Sequence, residues 1–339
     1  MIPRRPVGRS GLRVSALSLG AMTFGDGPFG AIGAEPGAVD GIVGLALDSG
    51  VDTFDTANAY GDSEVVLGKA IGKRRRDVVL CTKVRFPTGA ADAGAAPASS
   101  TYGLSRSAVL RSVEESLGRL DTDWIDVLWL HMQDRTVPIE ETLGTCDALV
   151  RAGKVRYIGV SNFAAYRATE AVLRAEARGT AGPVALQVPW SLVTRDVERE
   201  LVPAAKHLGL GVLVYSPLAR GFLSGKYHPG AEPPAGARLA RWRAELAEYD
   251  TERNWRVLAA LREIADDRGT EVGTVALAWT LARRPVASIV LGARTREQLA
   301  ANLRAADLVL GSDERARLDE VSTPRWGYPC DFIGRFEPW

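Results

Sequence analysis

The sequence predicts an α/β protein: a single domain, residues 1–339, that forms a closed (β/α)8 TIM barrel with an N-terminal hairpin and long loops on its C-terminal rim. Three observations support this prediction. Eight short apolar runs recur along the chain, amphipathic helical patterns separate them, and no break in composition marks a linker. Repeated strand–helix alternation is typical of βαβ units, and eight of them suit one closed barrel better than two doubly wound domains.

The eight apolar runs have the length of strands, and several are rich in valine, isoleucine and leucine. Such continuous runs suit strands that are buried on both faces of a parallel sheet. We therefore predict strands at residues 15–22, 51–56, 77–84, 125–131, 155–161, 184–190, 211–217 and 287–293.

Amphipathic helices are predicted between these strands. In the segment 104–120, Val109, Val113, Leu117 and Leu120 fall on one face of a helix and the charged residues fall opposite. The same rule holds for three later segments that each stop near a glycine, at 140–154, 164–179 and 196–209.

Three segments fall outside the simple repeat. The first residues read as a hairpin with its turn at Arg9–Gly11, which we expect to close the bottom of the barrel. Residues 86–104 and 218–250 form long insertions after the third and seventh predicted strands. Long loops in a compact domain are usually functional or disordered. In a barrel both lie on the C-terminal rim, where sites form.

Composition narrows the classes of partner. The chain has 42 basic and 41 acidic residues, so no basic field predicts a nucleic-acid or membrane partner. No apolar run reaches membrane-spanning length. The three cysteines, Cys81, Cys146 and Cys330, follow no metal-binding spacing, and we predict no metal site. Since the N-terminus lacks the apolar segment of a signal peptide, we expect a cytoplasmic protein.

Polar residues stand where the predicted strands end, and in a barrel these ends converge on one mouth. Packing of an apolar interior alone does not produce this pattern. The eight strand ends carry Gly20, Ala21 and Met22; Asp55, with Tyr60 in the loop that follows; Lys83; His131; Ser161 and Asn162; Gln187; Tyr215 and Ser216; and Gly292, and those from the second to the seventh are polar.

Each of these residues also has an ordinary structural interpretation. Asp55 can cap a turn, and Asn162 can cap the helix that follows it. Tyr60 can be a half-buried loop aromatic, Lys83 a solvated strand end and His131 a satisfied core histidine. Each residue taken alone could have its position by coincidence. Four titratable groups at neighbouring strand ends are much harder to explain in that way.

Together these four groups would form a proton donor. A phenol has a pKa near 10 and is a poor acid at neutral pH unless its anion is stabilised. The ammonium of Lys83 would favour the anion and lower that pKa, and Asp55 would hold the buried Lys83 charged. His131 would orient the substrate oxygen or the phenol. Tyr60 would then protonate an oxygen that becomes negative during the reaction, a contribution of about 10² to 10⁴ in rate.

The motifs that carry these residues resemble the aldo-keto reductase superfamily, in order and over nearly the whole chain. The resemblance implies a (β/α)8 barrel that binds NADP(H) across its C-terminal mouth. It also implies reversible hydride transfer between the nicotinamide and an aldehyde or ketone, with the family's tetrad on Asp55, Tyr60, Lys83 and His131. The motifs include DTANAYG (55–61), TKV (82–84), IDVLWLH (125–131), GKVRYIGVSNF (153–163) and YSPLARGFLSGKY (215–227).

The resemblance also implies the cofactor contacts. Ser161, Asn162 and Gln187 match the positions that bind the nicotinamide carboxamide, and Tyr215 stands where an aromatic ring stacks under the nicotinamide. Asp55 and the residues at the end of the first strand, Gly20, Ala21 and Met22, also match cofactor-binding positions. Ser216, Leu218, Gly221 and Ser224 lie on the segment that covers the pyrophosphate. The stretch that matches the adenosine 2′-phosphate site comprises Gly292, Ala293, Arg294, Thr295, Gln298 and Asn302.

The phosphate site has a physical rationale. Thr295 and Gln298 have the spacing of a capping box, and the N-terminus of the helix that they open favours an anion. Arg294 can grip a phosphate in bidentate fashion. We therefore expect NADP(H) rather than NAD(H).

The substrate pocket is expected to have aromatic walls, which suit a hydrophobic or ring-containing substrate. Two positions depart from common family patterns: no aromatic or proline follows His131 closely, and Trp190 stands where relatives often carry tyrosine. These departures leave the reaction class intact and the substrate open. The expected wall residues, besides His131, are Phe24, Phe29, Phe86, Trp190, Trp326 and Tyr328.

The sequence therefore predicts an NADPH-dependent reductase of a small-molecule aldehyde or ketone. The alternative is a nucleotide-sensing regulatory subunit that resembles the β subunits of potassium channels and turns over slowly. The complete tetrad and the absence of an obvious partner-binding extension argue against that alternative. The physiological substrate, the direction of reaction and the oligomeric state stay open.

Overall fold

The computed structural model describes residues 1–26, 33–34, 37–88 and 102–337. Eight parallel strands form a closed barrel in the order β10-β3-β4-β5-β6-β7-β8-β9, and the predicted (β/α)8 fold is confirmed. Two further strands, β1 and β2, form an antiparallel hairpin. The strands are β1 (Arg4–Pro6), β2 (Arg13–Ser15), β3 (Leu17–Gly20), β4 (Thr53–Asp55), β5 (Val79–Val84), β6 (Ile125–Leu130), β7 (Val155–Ser161), β8 (Pro183–Pro189), β9 (Gly211–Tyr215) and β10 (Val286–Leu291).

Helices connect consecutive barrel strands and cover the outside of the barrel. The α-helices of the described residues are α1 (Ala38–Asp48), α2 (Ser63–Ile71), α3 (Arg106–Leu120), α4 (Ile139–Arg151), α5 (Ala165–Arg178), α6 (Leu201–Leu208), α7 (Arg238–Arg241), α8 (Arg243–Tyr249), α9 (Glu252–Arg268), α10 (Val272–Leu281), α11 (Arg296–Leu303), α12 (Ser312–Ser322) and α13 (Cys330–Ile333). Short 3-10 helices add Gly72–Asp77, Asp196–Glu198, Ala219–Ser224 and Arg304–Ala306.

All eight predicted barrel strands are present, with differences at their ends. The first predicted run, 15–22, joins the end of β2 to β3, because the hairpin passes into the barrel without a polar break. At the mouth, Ser216 and Asn162 adopt left-handed backbone conformations, with φ of 50° and 53°. Each of these residues ends its strand and turns the chain over the mouth, so β9 stops two residues earlier than predicted.

The N-terminal hairpin closes the bottom of the barrel, as expected. Its turn is held by the bond from the Val7 amide to the Leu12 carbonyl, at 2.9 Å, and the Arg9 amide donates to the carbonyl of Gly209 at 2.9 Å. The apolar side chains of the hairpin pack with interior residues of the barrel strands into one cluster. That cluster comprises Val7, Leu12, Val14, Val79, Cys81, Val127, Trp129, Ala185, Leu213 and Ala287.

Trp129 fills the middle of the barrel. It is fully buried on β6 and pairs in register with Lys83 on one side and Gly159 on the other. A Cβ atom at residue 159 would lie 2.2 Å from the indole ring, so only glycine leaves room for it. The buried indole of Trp129 therefore fills the barrel interior beside Lys83 with an apolar ring.

The two rim insertions differ in what the structure shows. The insertion 218–250 was predicted as a long loop, but it contains the 3-10 helix Ala219–Ser224 and helices α7 and α8. Phe222 anchors it through ring contacts with Tyr227, Tyr249 and Trp255 at 6.1, 5.5 and 5.0 Å. Most of the other insertion, residues 89–101, lies outside the described residues. Across the described ranges, none of the helices combines the length and apolar character needed to cross a bilayer.

Candidate active site

A buried ion pair joins the mouth ends of β4 and β5. Lys83 Nζ donates to Asp55 Oδ2 and, at 2.8 Å, to the carbonyl oxygen of Thr56. The two side chains are 2% and 6% exposed. Gln187 on β8 donates to the other carboxylate oxygen of Asp55 at 2.9 Å. Asp55 is therefore not a turn cap and Lys83 is not a solvated strand end.

Tyr60 lies against this pair. The turn after β4, in which the Tyr60 amide donates to the Ala57 carbonyl, carries the phenol to the mouth. Lys83 Nζ is 5.2 Å from the centroid of the Tyr60 ring. The ring of His131 meets that of Tyr60 edge-on at 5.8 Å. The structure thus brings together all four residues that the sequence singled out.

The pKa of Tyr60 moves in the direction opposite to the one expected from Lys83 alone. Burial raises the pKa of Tyr60, and the charge of Lys83 and a hydrogen bond with it offset only part of that rise. Lys83 acts on the pKa of Tyr60 in the expected direction, but desolvation outweighs the ammonium and the net pKa stays above its ordinary value. The phenol is protonated at neutral pH and is ready to donate.

Lys83 keeps its charge inside the barrel. Burial lowers the pKa of Lys83, but the adjacent Asp55 carboxylate and the contact with Tyr60 raise it, and the net pKa lies above its ordinary value. A buried ammonium is stable only beside such an anion. Asp55 therefore has the role that the sequence suggested, which is to keep a positive charge next to the phenol.

His131 is neutral. Burial, followed by the nearby charges of Lys83 and Arg85, lowers the pKa of His131 to about 3. Its Nδ1 is buried and has no hydrogen-bond partner among the described residues, so it is not a satisfied core histidine. Phe86 meets its ring edge-on at 5.1 Å. A neutral imidazole with a free nitrogen suits binding of an uncharged oxygen.

Three of the residues predicted to hold the nicotinamide, Tyr215, Asn162 and Ser161, form one hydrogen-bonded chain. Tyr215 OH donates to Asn162 Oδ1 at 2.8 Å, and Asn162 Nδ2 donates to the carbonyl of His131 at 2.9 Å and to Ser161 Oγ at 3.1 Å. Asn162 does not cap the following helix, because Ala164 is its N-cap. Gln187, the third predicted partner, is bonded to Asp55.

The end of β3 stands beside this group. Gly20 pairs with Asp55 in register, and the Ala21 amide donates to the Asp55 carbonyl at 2.8 Å. Met22 follows, half-buried. These contacts fix the backbone of the predicted positions against Asp55.

The predicted pyrophosphate segment is a tight turn with several cations around it. Ser224 Oγ donates to the Gly221 carbonyl at 2.7 Å, Leu218 is half-buried and Ser216 follows β9 directly. Burial, together with the neighbouring Arg294, lowers the pKa of Lys226. Lys226 was missed in the sequence, although its place two residues after Ser224, within the same motif, was an available signal.

Two arginines of the insertion 218–250 also face this region and were missed. Their guanidinium carbons lie over the ring of Trp242, at 5.3 Å for Arg220 and 4.6 Å for Arg238. Burial and the neighbouring Arg220 lower the pKa of Arg238 to about 10. Arg238 Nε is buried without a hydrogen-bond partner in the part of the chain that the structure describes. No local pattern places Arg238 here, because its approach to the mouth depends on the path of the whole insertion.

The segment predicted to bind the 2′-phosphate spans the start of α11. Thr295 is the N-cap and accepts the Gln298 amide at 3.3 Å. The Gln298 side chain accepts the amide of Arg294, one residue before the position that a capping box requires. Gly292 and Ala293 lead from β10 into this turn, and Asn302 is half-buried near the end of α11.

Arg294 connects two rim segments. Its Nε donates to the carbonyl of Gly33 at 3.0 Å and its Nη1 donates to the carbonyl of Gly236 at 3.2 Å. Both acceptors are uncharged, so the positive charge stays uncompensated by these bonds. A phosphate would be a stronger partner for the guanidinium than either carbonyl.

The predicted aromatic walls fall into three groups. Phe86 contacts His131 and lies at the mouth. Phe24 and Trp190 are 1% and 2% exposed, and the Trp190 indole donates to Glu198 at 2.9 Å, so neither presents surface in this structure. Their role as walls stays a prediction, and Phe29 lies outside the described residues.

The two predicted wall residues of the tail lie near the β8–α6 connection. Arg199 donates to the Tyr328 carbonyl at 3.3 Å, which holds the tail there. Trp326 is half-buried, whereas Tyr328 is 83% exposed. Their contact with substrate also stays a prediction.

Comparison with known proteins gives one family. The model of the Aldo/keto reductase family matches residues 16–323. An uncharacterized oxidoreductase of Bacillus subtilis, YrpG, is 38% identical over 324 residues, which cover 93% of this chain and 94% of that protein. The aldo-keto reductase dtxS3 of Metarhizium robertsii is 35% identical over 339 residues, which cover 94% of this chain and 90% of that protein.

A second kind of name occurs among the relatives. A putative voltage-gated potassium channel subunit β of Schizosaccharomyces pombe is 35% identical over 333 residues, which cover 94% of this chain and 93% of that protein. The chain is thus similar at comparable identity to proteins named as reductases and to proteins named as channel subunits.

Proposed function

Because the chain belongs to the aldo/keto reductase family of oxidoreductases, we propose that it reduces an aldehyde or ketone to the alcohol with NADPH, and that Tyr60 is the general acid. The observation that supports this proposal most directly is the buried Asp55–Lys83 pair beside the protonated phenol of Tyr60 and the neutral His131. The substrate is a small-molecule carbonyl compound.

The residues at the mouth suit a phosphate-bearing cofactor. Arg238 has a buried nitrogen without a hydrogen-bond partner in the described ranges, and Arg294 donates its hydrogen bonds to neutral carbonyls. Such cationic donors favour an anion with several oxygens. Lys226 and the N-terminus of α11 add to the same field. These residues would hold the phosphates, and Asn162, Ser161 and Tyr215 the nicotinamide.

The reaction follows from the states of three side chains. His131 is uncharged and binds the carbonyl oxygen without adding a proton of its own. When bound, NADPH supplies the hydride that the carbonyl carbon receives. Tyr60 delivers its proton to the oxygen, and Lys83 stabilises the phenolate that is left. Solvent then restores the proton on Tyr60, and the products are the alcohol and NADP⁺.

Replacement of Tyr60 by phenylalanine tests the proposed acid. We expect Tyr60→Phe to bind NADPH within about twofold of wild type and to lose about 10² to 10⁴ in kcat/KM for aromatic aldehydes, since only the proton donor is removed. Tyr166→Phe is the matched control, because Tyr166 is 63% exposed on α5. Undiminished turnover in Tyr60→Phe would show that another group is the acid.

The second candidate is a nucleotide-sensing subunit with slow turnover, which the channel-subunit names of several relatives favour. The two candidates differ in kinetics. A reductase releases NADP⁺ and turns over repeatedly, whereas a sensor retains its nucleotide with turnover that is slow for every carbonyl tried. Single-turnover and steady-state rates on one panel of aromatic aldehydes, aliphatic aldehydes, sugars and ketones decide between them.

We also propose that the protein works in the cytoplasm. The three cysteines are free and buried, which suits a reducing compartment but does not require one. Cell fractionation with an antibody against the chain is the direct measurement.

A further inference from the structure

A cation that the proposed chemistry does not use stands at the mouth. Arg85 follows β5 and lies two residues after Lys83. Its guanidinium carbon lies over the Phe86 ring, 4.9 Å from the centroid. The Arg85 carbonyl accepts the Gly103 amide at 2.7 Å, which fixes the backbone at the base of the rim insertion.

Within the described residues, the guanidinium of Arg85 has neither an ion pair nor a hydrogen bond, and its Nε is buried. Asp134, a carboxylate whose charge interacts with Arg85, is already hydrogen-bonded to other groups. Its Oδ1 accepts the amide and hydroxyl of Thr136, at 2.9 and 2.6 Å, and its Oδ2 accepts the Leu104 amide at 3.0 Å. Arg85 senses the charge of Asp134, and helps to lower its pKa, without sharing a hydrogen bond. A half-buried guanidinium whose donors are not engaged suits a planar anion.

Ring contacts relate this cation to the reacting groups. The Phe86 ring contacts both the Arg85 guanidinium, at 4.9 Å, and the His131 ring, which it meets edge-on at 5.1 Å, and His131 in turn meets Tyr60 at 5.8 Å. Arg85 and His131 thus share Phe86 as a neighbour, and Arg85 is close enough for its charge to act on His131. Phe86 offers an apolar side for the connecting part of a substrate.

We propose that Arg85 selects carbonyl substrates that carry a carboxylate, separated from the reacting carbonyl by an aromatic ring or a short carbon chain. This inference rests on the proposed function and names its substrate class. A carboxylate is preferred to a phosphate because it matches the planar fork of one guanidinium, whereas a phosphate dianion needs more than one cation. The carboxylate takes no part in the redox step. Arg85 is a specificity-determining residue that binds the far end of the substrate.

A matched pair of aldehydes tests this proposal. The probes are 4-carboxybenzaldehyde and 4-formylbenzamide, which have nearly the same shape and differ in charge. We expect wild type to favour the acid in kcat/KM by about tenfold or more, and Arg85→Gln to lose about tenfold to a hundredfold on the acid, mainly through KM, and little on the amide. Arg85→Lys should keep part of the preference. Arg135→Gln, an exposed arginine in the loop after β6, is the control for charge in general.

Binding of the product gives a reading that needs no turnover. Calorimetry compares 4-(hydroxymethyl)benzoate with its amide on the complex of the protein with NADP⁺, and we expect the acid to bind at least about tenfold more tightly to wild type and equally to Arg85→Gln. Equal binding of acid and amide to wild type, or an equal loss of both in Arg85→Gln, overturns the proposal. If both aldehydes are inert while the acid still binds selectively, the proposed function fails and the inference about Arg85 stands.

Discussion

At the scale of single residues, the site depends on a buried ion pair that serves the proposed chemistry but costs desolvation free energy. Lys83 and Asp55 are almost fully buried, and each is tolerated only because of the other. Removing one partner leaves an uncompensated charge, whereas removing both leaves none. Stability and activity should therefore respond differently to the same changes.

A double-mutant cycle measures that difference. We expect Asp55→Asn and Lys83→Met each to lower the free energy of unfolding by about 3 kcal/mol, and the double variant to recover much of that loss. Reductase activity should stay low in all three, since Lys83 is either absent or no longer held charged beside Tyr60 by Asp55. Urea unfolding gives the stability and aldehyde reduction gives the activity. Additive losses of stability would mean that the two side chains are not coupled.

The pH profile of the reaction follows from two shifted groups. Burial raises the pKa of Tyr60, and His131, with a pKa of about 3, is neutral throughout the accessible range. We expect kcat/KM for reduction to be flat from about pH 5 to about pH 9 and to fall only at higher pH, where the phenol loses its proton. Alcohol oxidation should rise with pH, because it needs the phenolate.

Stopped-flow or steady-state assays of both directions in constant-ionic-strength buffers make that measurement. His131→Gln, which does not titrate, is the control for the acid side. A fall in reduction between about pH 6 and pH 7 that disappears in this variant would show that His131 carries a proton in the working enzyme.

At the scale of elements, the sequence predicted what depends on local pattern and missed what depends on distant contacts. The barrel strands and the apolar face of α3 follow from short runs and periodicity, and both are present. The tetrad could be found because its members stand at strand ends, which a barrel brings together. Arg85 and Arg238 could not be recognised in this way, since the features that distinguish them are burial and missing partners.

The hairpin offers a test of how tightly the bottom of the barrel is closed. Gly8 has φ of +56°, and a Cβ atom there would lie 2.2 Å from the carbonyl oxygen of Gly209. We expect Gly8→Ala to lower the free energy of unfolding by about 3 kcal/mol, from backbone strain together with the clash. Chemical denaturation measures the loss.

Gly269→Ala separates the two causes of that loss. Gly269 has nearly the same φ, +57°, but a Cβ atom added there would meet no other atom within 4 Å among the described residues. It should lose only about 1 kcal/mol, which is the cost of the left-handed backbone. Equal losses in the two variants would mean that the hairpin moves aside and that the bottom is not tightly packed.

At the scale of the whole molecule, the two ends of the barrel differ in the side chains that they carry. The bottom is closed by apolar side chains of the hairpin, whereas the mouth contains Lys83, Arg85, Lys226, Arg238 and Arg294. Net charge is near zero over the chain, so this is local concentration rather than a general basic character. An anionic cofactor that binds there should stabilise the entire fold.

The increase in stability on nucleotide binding indicates which nucleotide binds more tightly at the mouth. A ligand present at a hundred times its Kd raises the free energy of unfolding by about 2.7 kcal/mol, so melting temperatures rank NADP⁺ against NAD⁺ without any turnover. We expect NADP⁺ to raise the Tm more than NAD⁺ at equal concentration, and Arg294→Ala to weaken NADP⁺ at least about tenfold while leaving NAD⁺ unchanged, since only the 2′-phosphate is lost as a partner. Arg296→Ala, an exposed arginine in the first turn of α11, controls for a loss of positive charge near the same helix. Equal Tm increases with the two nucleotides in wild type would mean that Arg294 does not bind the 2′-phosphate. Its bonds to Gly33 and Gly236 would then serve only to hold the rim segments together.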